Sequence, residues 1–284
     1  MKRCMIIGLL IVFVCFGAFA VQGYVSDDLD FVPMDGSDSS SGTGSTAPRI
    51  TNSIGQTFVI IPKGSFMMGS PTDEPKRDDD ERQHRVTITR PFYMQTTEVT
   101  QKQWKAVMGN NPSKFEGDNL PVEQVSWNDV QEFIEKLNRM EGTDRYRLPT
   151  EAQWEYACRA GTTTPFYTGR CISTNQANYG GNYPMQGCSK GRYRKKTVNV
   201  ASFSPNAGGL YDMHGNVYEW CADWYGKYPS GAVTDPKGSS SGEYRVYRGG
   251  SWFKNARDAR SAFRERVNPD IRGDLLGFRV ARTQ

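Results

Sequence analysis

The sequence predicts an α+β domain in which loops outweigh helices and strands, and three observations support that class. Short apolar runs bounded by turn residues predict strands at residues 57–62, 65–69 and 85–89. Cap residues followed by helical periodicity predict three helices between residues 100 and 161. From residue 161 onward regular patterns nearly disappear, and Gly, Asn, Pro, Tyr and Trp dominate. A loop-rich stretch of this length needs aromatic anchors, disulfides or metal ions to hold it within one domain.

The first 20 residues have the features of a secretory signal peptide. Lys2 and Arg3 supply positive charge, residues 5–16 are apolar, and residues 18–20 (Ala-Phe-Ala) form a small-x-small cleavage site. We therefore predict an exported protein, located in the periplasm, on the cell surface or in the medium. An alternative is a lipoprotein modified at Cys15, although bulky Val14 precedes it. No later apolar run approaches the roughly 18 residues of a membrane-spanning helix, so we predict no transmembrane segment.

Residues 21–50 are predicted to be a flexible leader, first acidic and then rich in Ser and Gly, because they offer few apolar side chains to bury. Residues 51–284 are predicted to form the folded domain. The formal charge of +4 falls to +2 once Lys2 and Arg3 are cleaved. A charge this weak gives no indication of a nucleic-acid partner, and none is predicted. We expect a monomer.

Each predicted helix begins at a hydroxyl cap and presents an apolar face that should lie in the core. The caps and helices are Thr100 before residues 101–108, Ser126 before residues 127–140, and Thr150 before a helix that ends near residue 161. The charged run 73–85, which precedes them, is predicted to be a solvated loop.

Four cysteines remain after signal cleavage, which allows three disulfide pairings in an exported protein. Cys171 and Cys188 bracket a loop rich in Gly, Asn and Tyr, where a disulfide would be most useful. Cys158 and Cys221 lie in apolar segments and are predicted to be small buried side chains. No Cys/His spacing typical of zinc occurs.

Four motifs follow in order from residue 147 to residue 281. They are RLPTEAQWEYACRAG (147–161), GLYDMHGNVYEW (209–220), RGGSW (248–252) and GFRVA (277–281). Together they resemble the formylglycine-generating enzyme (sulfatase-modifying factor) family over about residues 57–282. The resemblance implies a C-type-lectin-like fold with little regular secondary structure.

The resemblance also implies a structural calcium site. The side chains of Asp212 and Glu219 and the carbonyl oxygens of Gly215 and Val217 match its ligand positions, and hard oxygen donors are what calcium prefers. The alternative is a capped turn without metal. A second calcium site, beginning at residue 178, would lack its acidic ligand.

Copper oxidation in this family depends on two cysteines, and thiolates are soft ligands suited to Cu(I). Lys254 and Ala259 occupy those two positions. We therefore assign no catalytic residue and expect no copper. A related iron-dependent branch binds its metal through histidines, but His84 and His214 are the only histidines here. His84 is expected to be exposed, and His214 to satisfy nearby backbone groups.

The segment after residue 252 is therefore predicted to be a recognition surface for a protein or peptide. Its candidate binding residues are Phe253, Lys254, Asn255, Arg257, Asp258, Phe263 and Arg264. The alternative is that its arginines form internal ion pairs with Asp258, Glu265, Asp270 and Asp274. The expected function is a binding or accessory module. The other possibility is a divergent periplasmic enzyme that modifies a protein or peptide, by formylglycine generation or natural-product maturation.

Overall fold

The structure is a computed structural model that describes residues 49–284. The predicted signal peptide, the possible lipidation site Cys15 and all but the last two residues of the predicted leader lie outside the described residues. Within residues 49–284, no helix is long and apolar enough to cross a membrane.

Three α-helices begin and end close to the predicted positions, and each has a complete capping box. They are α1 (Gln101–Met108), α2 (Trp127–Met140) and α3 (Glu151–Arg159). In α3, the Thr150 hydroxyl accepts from the Gln153 backbone N–H, and the Gln153 side chain accepts from the Thr150 N–H. Local signals determine these helices, which is why the sequence alone predicts them.

The strands form three small sheets. The first has the order β1 (Arg49–Thr51), β2 (Thr57–Ile61), β5 (Phe92–Gln95), β12 (Ala281–Thr283) and β6 (Tyr146–Arg147). The second has the order β10 (Arg264–Val267), β9 (Arg245–Arg248), β7 (Tyr218–Trp224) and β11 (Leu276–Gly277). The third has the order β3 (Gly64–Met68), β4 (His84–Ile88) and β8 (Val233–Thr234). The first sheet contains both ends of the described chain, because β1 and β12 are linked through β2 and β5.

Within the described range, residues 160–217 contain neither helix nor strand, as predicted, but the irregular stretch ends there, because strands β7 to β12 and a 3₁₀ helix follow. A disulfide joins Cys171 to Cys188, which confirms the predicted pairing. Cys158 and Cys221 are free and fully buried, also as predicted. Covalent and hydrogen-bonded contacts therefore hold this long irregular stretch against the sheets.

The interior is unusual in containing charged side chains as well as a hydrophobic core. Trp104 of α1, Phe133 of α2 and Phe278 pack as one aromatic cluster. Arg248 and Arg260 are among the largest fully buried side chains. Arginines are rarely buried without partners, so each must be neutralised inside the fold.

Two predictions about the charged segment before β4 are wrong. The run 73–85 is not simply a solvated loop, because Glu74 and Glu81 are buried and pair with Arg260. His84 is buried rather than exposed, since its ring packs 4.8 Å from the ring of Tyr228. Both predictions fail for the same reason, because the residues that contact Glu74, Glu81 and His84 lie far away in sequence.

Candidate recognition surface

The turn after β9 packs against the predicted recognition segment (residues 253–264). Gly249 and Gly250 adopt positive φ angles of 95° and 77°, which favour glycine. A Cβ on Gly250 would lie 2.8 Å from the Cα of Ala259. Only glycine permits this approach, so the turn packs directly against the short 3₁₀ helix Ala256–Ala259.

The two positions that carry cysteines in the resembled family hold no metal-binding side chain. Ala259 is fully buried, and its carbonyl oxygen lies 2.7 Å from Nδ1 of His214. Lys254 is partly exposed, and its carbonyl oxygen accepts from the Gly180 N–H at 2.7 Å. The free Cys158 thiol lies behind this segment, 3.9 Å from His214 Nδ1. Burial raises the pKa of that thiol to about 12, which keeps it protonated.

His214 forms hydrogen bonds with backbone groups, as expected from the sequence. Its Nε2 accepts from the Tyr167 N–H at 3.1 Å, so Nδ1 carries the proton and donates to the Ala259 carbonyl. Burial lowers the pKa of His214 to about 3, so the ring is neutral. The histidine thereby links the loop at residue 167 to the recognition segment.

The structure brings five of the seven predicted binding residues to the surface. Phe253 is 54% exposed, and Lys254, Asn255, Arg257 and Asp258 are partly or fully exposed.

Phe263 and Arg264 are buried and not on that surface, so their prediction as binding residues is wrong. Phe263 is buried in the main hydrophobic cluster. Arg264 is 4% exposed and donates to both oxygens of Glu151, at 2.8 and 2.7 Å. Two hydrogen bonds to a buried carboxylate leave this arginine unavailable to a partner.

A cavity of about 370 Å³ opens beside the exposed residues. Its lining combines the recognition segment with two distant segments: Lys76, Arg77, Tyr183, Pro184, Met185, Gln186, Asn255 and Arg257. Sequence reasoning missed residues 76–77 and 183–186. An exposed aromatic in the disulfide-bracketed loop, Tyr183, was the one available signal, and nothing local pointed to Lys76.

Internal ion pairs hold the cavity wall in place. Arg260 donates to Glu74 at 2.5 Å and to both oxygens of Glu81 at 2.8 and 2.5 Å. Arg257 donates to Asp78 and to the Lys76 carbonyl oxygen. The arginines of the segment therefore do form internal pairs, but with carboxylates of residues 74–81 and 151 rather than with the predicted acidic residues. The loop 73–82 is thereby fixed beside the recognition segment.

The predicted calcium ligands lie in a buried acidic cluster. Glu98, Asp212 and Glu219 surround Arg279, whose guanidinium donates to both Glu219 oxygens at 2.6 Å. Trp154 Nε1 also donates to Glu219, at 2.7 Å. One oxygen of Asp212 accepts from the Ala201 N–H, and the other is buried without a hydrogen-bond partner.

The donor set fits calcium at Asp212 but less well at Glu219. The unpaired Asp212 oxygen is the kind of group that a cation would satisfy. Glu219 would have to share its carboxylate with Arg279. Within residues 49–284, no group of three or more His, Cys, Asp or Glu side chains is arranged to hold a metal ion. A calcium site here would therefore depend mainly on Asp212 and on backbone carbonyls such as those of Gly215 and Val217.

Comparisons with known proteins identify relatives along most of the chain. The chain is 28% identical to the chaperone protein LppX of Paenibacillus barcinonensis, covering 86% of this chain and 95% of that protein. It is 32% identical to the formylglycine-generating enzyme of Mus musculus, covering 70% of this chain and 53% of the enzyme. It is 37% identical to the serine/threonine-protein kinase pkn1 of Chlamydia pneumoniae, covering 57% of this chain but 24% of the kinase. The chain thus spans about half of that enzyme and about a quarter of that kinase.

Two solved structures share the fold. Treponema denticola variable protein 1 superposes with a TM-score of 0.73 at 29% identity, covering 84% of this chain and all of that one. PvdO from Pseudomonas aeruginosa superposes with a TM-score of 0.71 at 31% identity, covering 84% of this chain and 98% of that one. The family model of the sulfatase-modifying factor enzyme 1-like domain matches residues 44–284. These matches and the loop-rich α+β architecture show that the chain belongs to the sulfatase-modifying factor enzyme 1-like family.

Proposed function

We propose that this chain is an exported member of the family that binds a protein or peptide partner and has no copper oxidase activity. The observation that carries this proposal is the pair Lys254 and Ala259. The Lys254 ammonium group repels Cu(I), and the Ala259 methyl group has no lone pair with which to coordinate it. The recognition segment therefore offers no thiolate at either position.

The exposed residues around the cavity suit protein recognition. Phe253 and Tyr183 are 54% and 60% exposed, and aromatic side chains often anchor interfaces. Lys76 and Arg77 add positive charge at the cavity wall, whereas the charge of Arg257 is balanced by Asp78. The segment behind them is fixed by Arg260, so little conformational entropy would be lost on binding.

The names of two relatives are consistent with a binding role. LppX is described as a chaperone protein, and the Treponema denticola protein as a variable protein. The similarity to the mouse formylglycine-generating enzyme favours a second candidate, a divergent enzyme that modifies a protein or peptide.

An oxidase assay tests whether the chain has copper oxidase activity, the formylglycine-generating form of the second candidate. The purified protein would be incubated with a Cys-x-Pro-x-Arg peptide, Cu(I) and oxygen, and the peptide would be analysed by mass spectrometry. We expect no conversion of cysteine to formylglycine. The active formylglycine-generating enzyme serves as the positive control, and turnover by this chain would overturn the proposal.

A crosslinking experiment tests the binding surface. A photoreactive phenylalanine analogue is incorporated at position 253 in cells that produce and export the protein. On illumination it should crosslink to one dominant protein or peptide. Combining Phe253→Ala with Arg257→Ala should abolish capture by a crosslinker placed at Tyr183. A photoreactive residue at position 140 is the matched control. Met140 is exposed to a similar extent, 53%, but lies outside this surface. Equal capture by the double variant would rule out this surface.

We also propose that calcium binds at Asp212. The support is the buried carboxylate oxygen of Asp212 that has no hydrogen-bond partner. A bound cation would neutralise charge that burial otherwise makes costly. Its role would be structural, since it would hold the turn that leads into β7.

A further inference from the structure

A long part of the irregular region carries positive charge alone. Residues 160–211 contain no Asp or Glu and six Lys or Arg residues. Five of these six cations are concentrated in seven residues, a segment that we name the basic loop (residues 190–196): Lys190, Arg192, Arg194, Lys195 and Lys196. Such a concentration contrasts with the small net charge of the whole chain.

The basic loop is held in a fixed position. Thr174 accepts from the Arg192 N–H at 3.0 Å through its hydroxyl, and from the Arg194 guanidinium at 2.7 Å through its carbonyl. Gly191 donates to the Gly181 carbonyl at 2.8 Å. The disulfide between Cys171 and Cys188 closes the preceding residues. The positive charges are therefore presented by an ordered backbone.

These charges are not neutralised inside the domain. Lys190, Arg192, Lys195 and Lys196 are exposed, and none of them forms an ion pair with another residue of 49–284. A cluster of unpaired cations creates a local field that attracts an anionic partner.

The chain itself contains a segment of opposite charge. Residues 26–38 read SDDLDFVPMDGSD, with five aspartates and the apolar side chains Leu29, Phe31, Val32 and Met34. No Lys or Arg occurs between residues 4 and 48. We propose that this acidic segment (residues 26–38) binds the basic loop of the same chain.

The connecting chain is long enough for this contact. The guanidinium of Arg49, where β1 begins, lies 3.9 Å from the position of a Cβ on Gly209. The Arg194 guanidinium lies 5.3 Å from the ring centroid of Phe203. The start of the domain and the basic loop thus contact the same short segment, residues 203–209. Residues 39–48 between the acidic segment and β1 can extend to roughly 33–36 Å.

The covalent connection favours the chain's own segment over a free acidic peptide. A short flexible linker gives a tethered ligand an effective concentration on the order of millimolar. Opposite charges can then maintain the contact even if the intrinsic affinity is weak. This inference goes beyond the proposed function, because it concerns residues outside the surface around Phe253.

A peptide competition experiment with the full chain tests the proposal. In one variant, the leader-neutral chain, Asn replaces each of Asp27, Asp28, Asp30, Asp35 and Asp38. A fluorescein-labelled peptide of residues 26–38 is titrated into this variant and into the wild-type chain, with binding read by anisotropy. The leader-neutral chain should bind the peptide at least about tenfold more tightly, because the wild-type site is already occupied in cis.

Charge reversal identifies the site. In the leader-neutral chain, Lys195→Glu with Lys196→Glu should weaken peptide binding at least about tenfold, which corresponds to about 1.4 kcal/mol. Lys227→Glu with Lys237→Glu, at two exposed lysines elsewhere, should change it less than about twofold. All variants should retain the wild-type melting temperature.

Three outcomes would overturn the proposal. Equal peptide binding by both chains would mean that the leader does not occupy the loop, and that a partner's acidic segment is the ligand. No binding to a folded leader-neutral chain would exclude an acidic polypeptide. Binding that survives charge reversal at Lys195 and Lys196 would place the contact elsewhere. Crosslinking at Phe253 involves none of the residues of the basic loop, so its result distinguishes failure here from failure of the proposed function.

Discussion

Arg260 determines the shape of the candidate surface although a partner would never touch it. Its guanidinium is fully buried and pairs with Glu74 and Glu81. A buried ion pair contributes little net stability compared with an apolar replacement of both partners, but removing one partner leaves uncompensated charge. The arginine therefore specifies where the loop 73–82 lies.

Arg260→Met should destabilise the protein by about 3–5 kcal/mol, because two carboxylates would remain buried without their cation. Urea denaturation followed by tryptophan fluorescence measures the change. Arg272→Met is the matched control, since the Arg272 side chain is 55% exposed in its pair with Asp129. That pair should contribute less than about 1 kcal/mol. Equal losses in both variants would contradict the specific role of Arg260.

Asp223 should make stability depend on pH between about pH 4 and pH 7. Burial raises the pKa of its carboxyl group from the ordinary 3.8 to about 7. Between these values the folded protein holds a proton that the unfolded chain has released, so stability falls as pH rises and levels off above about 7. The slope is about 1.4 kcal/mol per pH unit.

Asp223→Asn tests this directly, because an amide oxygen can still accept the Glu151 N–H that Asp223 binds at 2.8 Å. The variant should be more stable than the wild type at pH 8, and the two should converge as the pH falls towards 4. Denaturation curves at pH 4, 5, 6, 7 and 8 provide the comparison. Parallel pH profiles would show that this carboxyl group does not titrate in that range.

At the scale of secondary structure, the sequence predicts those elements whose signals are local. Ser126 and Asp129 are three residues apart and cap α2 within one turn. The candidate surface was predicted only in part, because Lys76 and Tyr183 reach it from other regions of the chain. Arg260 and Glu81 are separated by 179 residues, and no periodicity encodes such a pairing. Phe263 and Arg264 were misassigned for the same reason.

The loop closed by Cys171 and Cys188 should be the irregular element most sensitive to reduction. Replacing both cysteines with alanine should lower the free energy of unfolding by about 3 kcal/mol, since the bridge spans 17 residues. Guanidinium denaturation without reductant measures the loss. Dithiothreitol should bring the wild type to the level of the variant and leave the variant unchanged. A variant as stable as the wild type would contradict this role.

At the scale of the whole molecule, calcium should stabilise the fold if Asp212 binds it. Saturating calcium should raise the melting temperature of EDTA-treated protein by roughly 5 °C or more, since only the folded state presents the site. Asp212→Ala should remove the shift, and magnesium should not replace calcium. Identical melting curves in EDTA and in calcium would exclude a calcium site at this turn.

The buried pairing of Arg260 with Glu74 and Glu81 also determines which positions of the recognition segment tolerate substitution. The paired residues must be kept, whereas the exposed ones can vary. The carboxylates that fix the recognition segment come from outside it, while Phe253 and Asn255 point outward. Substitutions at such exposed positions leave every interior charge compensated. A lineage could therefore acquire new binding specificities, or a library could be built at these sites, without a compensating change in the scaffold.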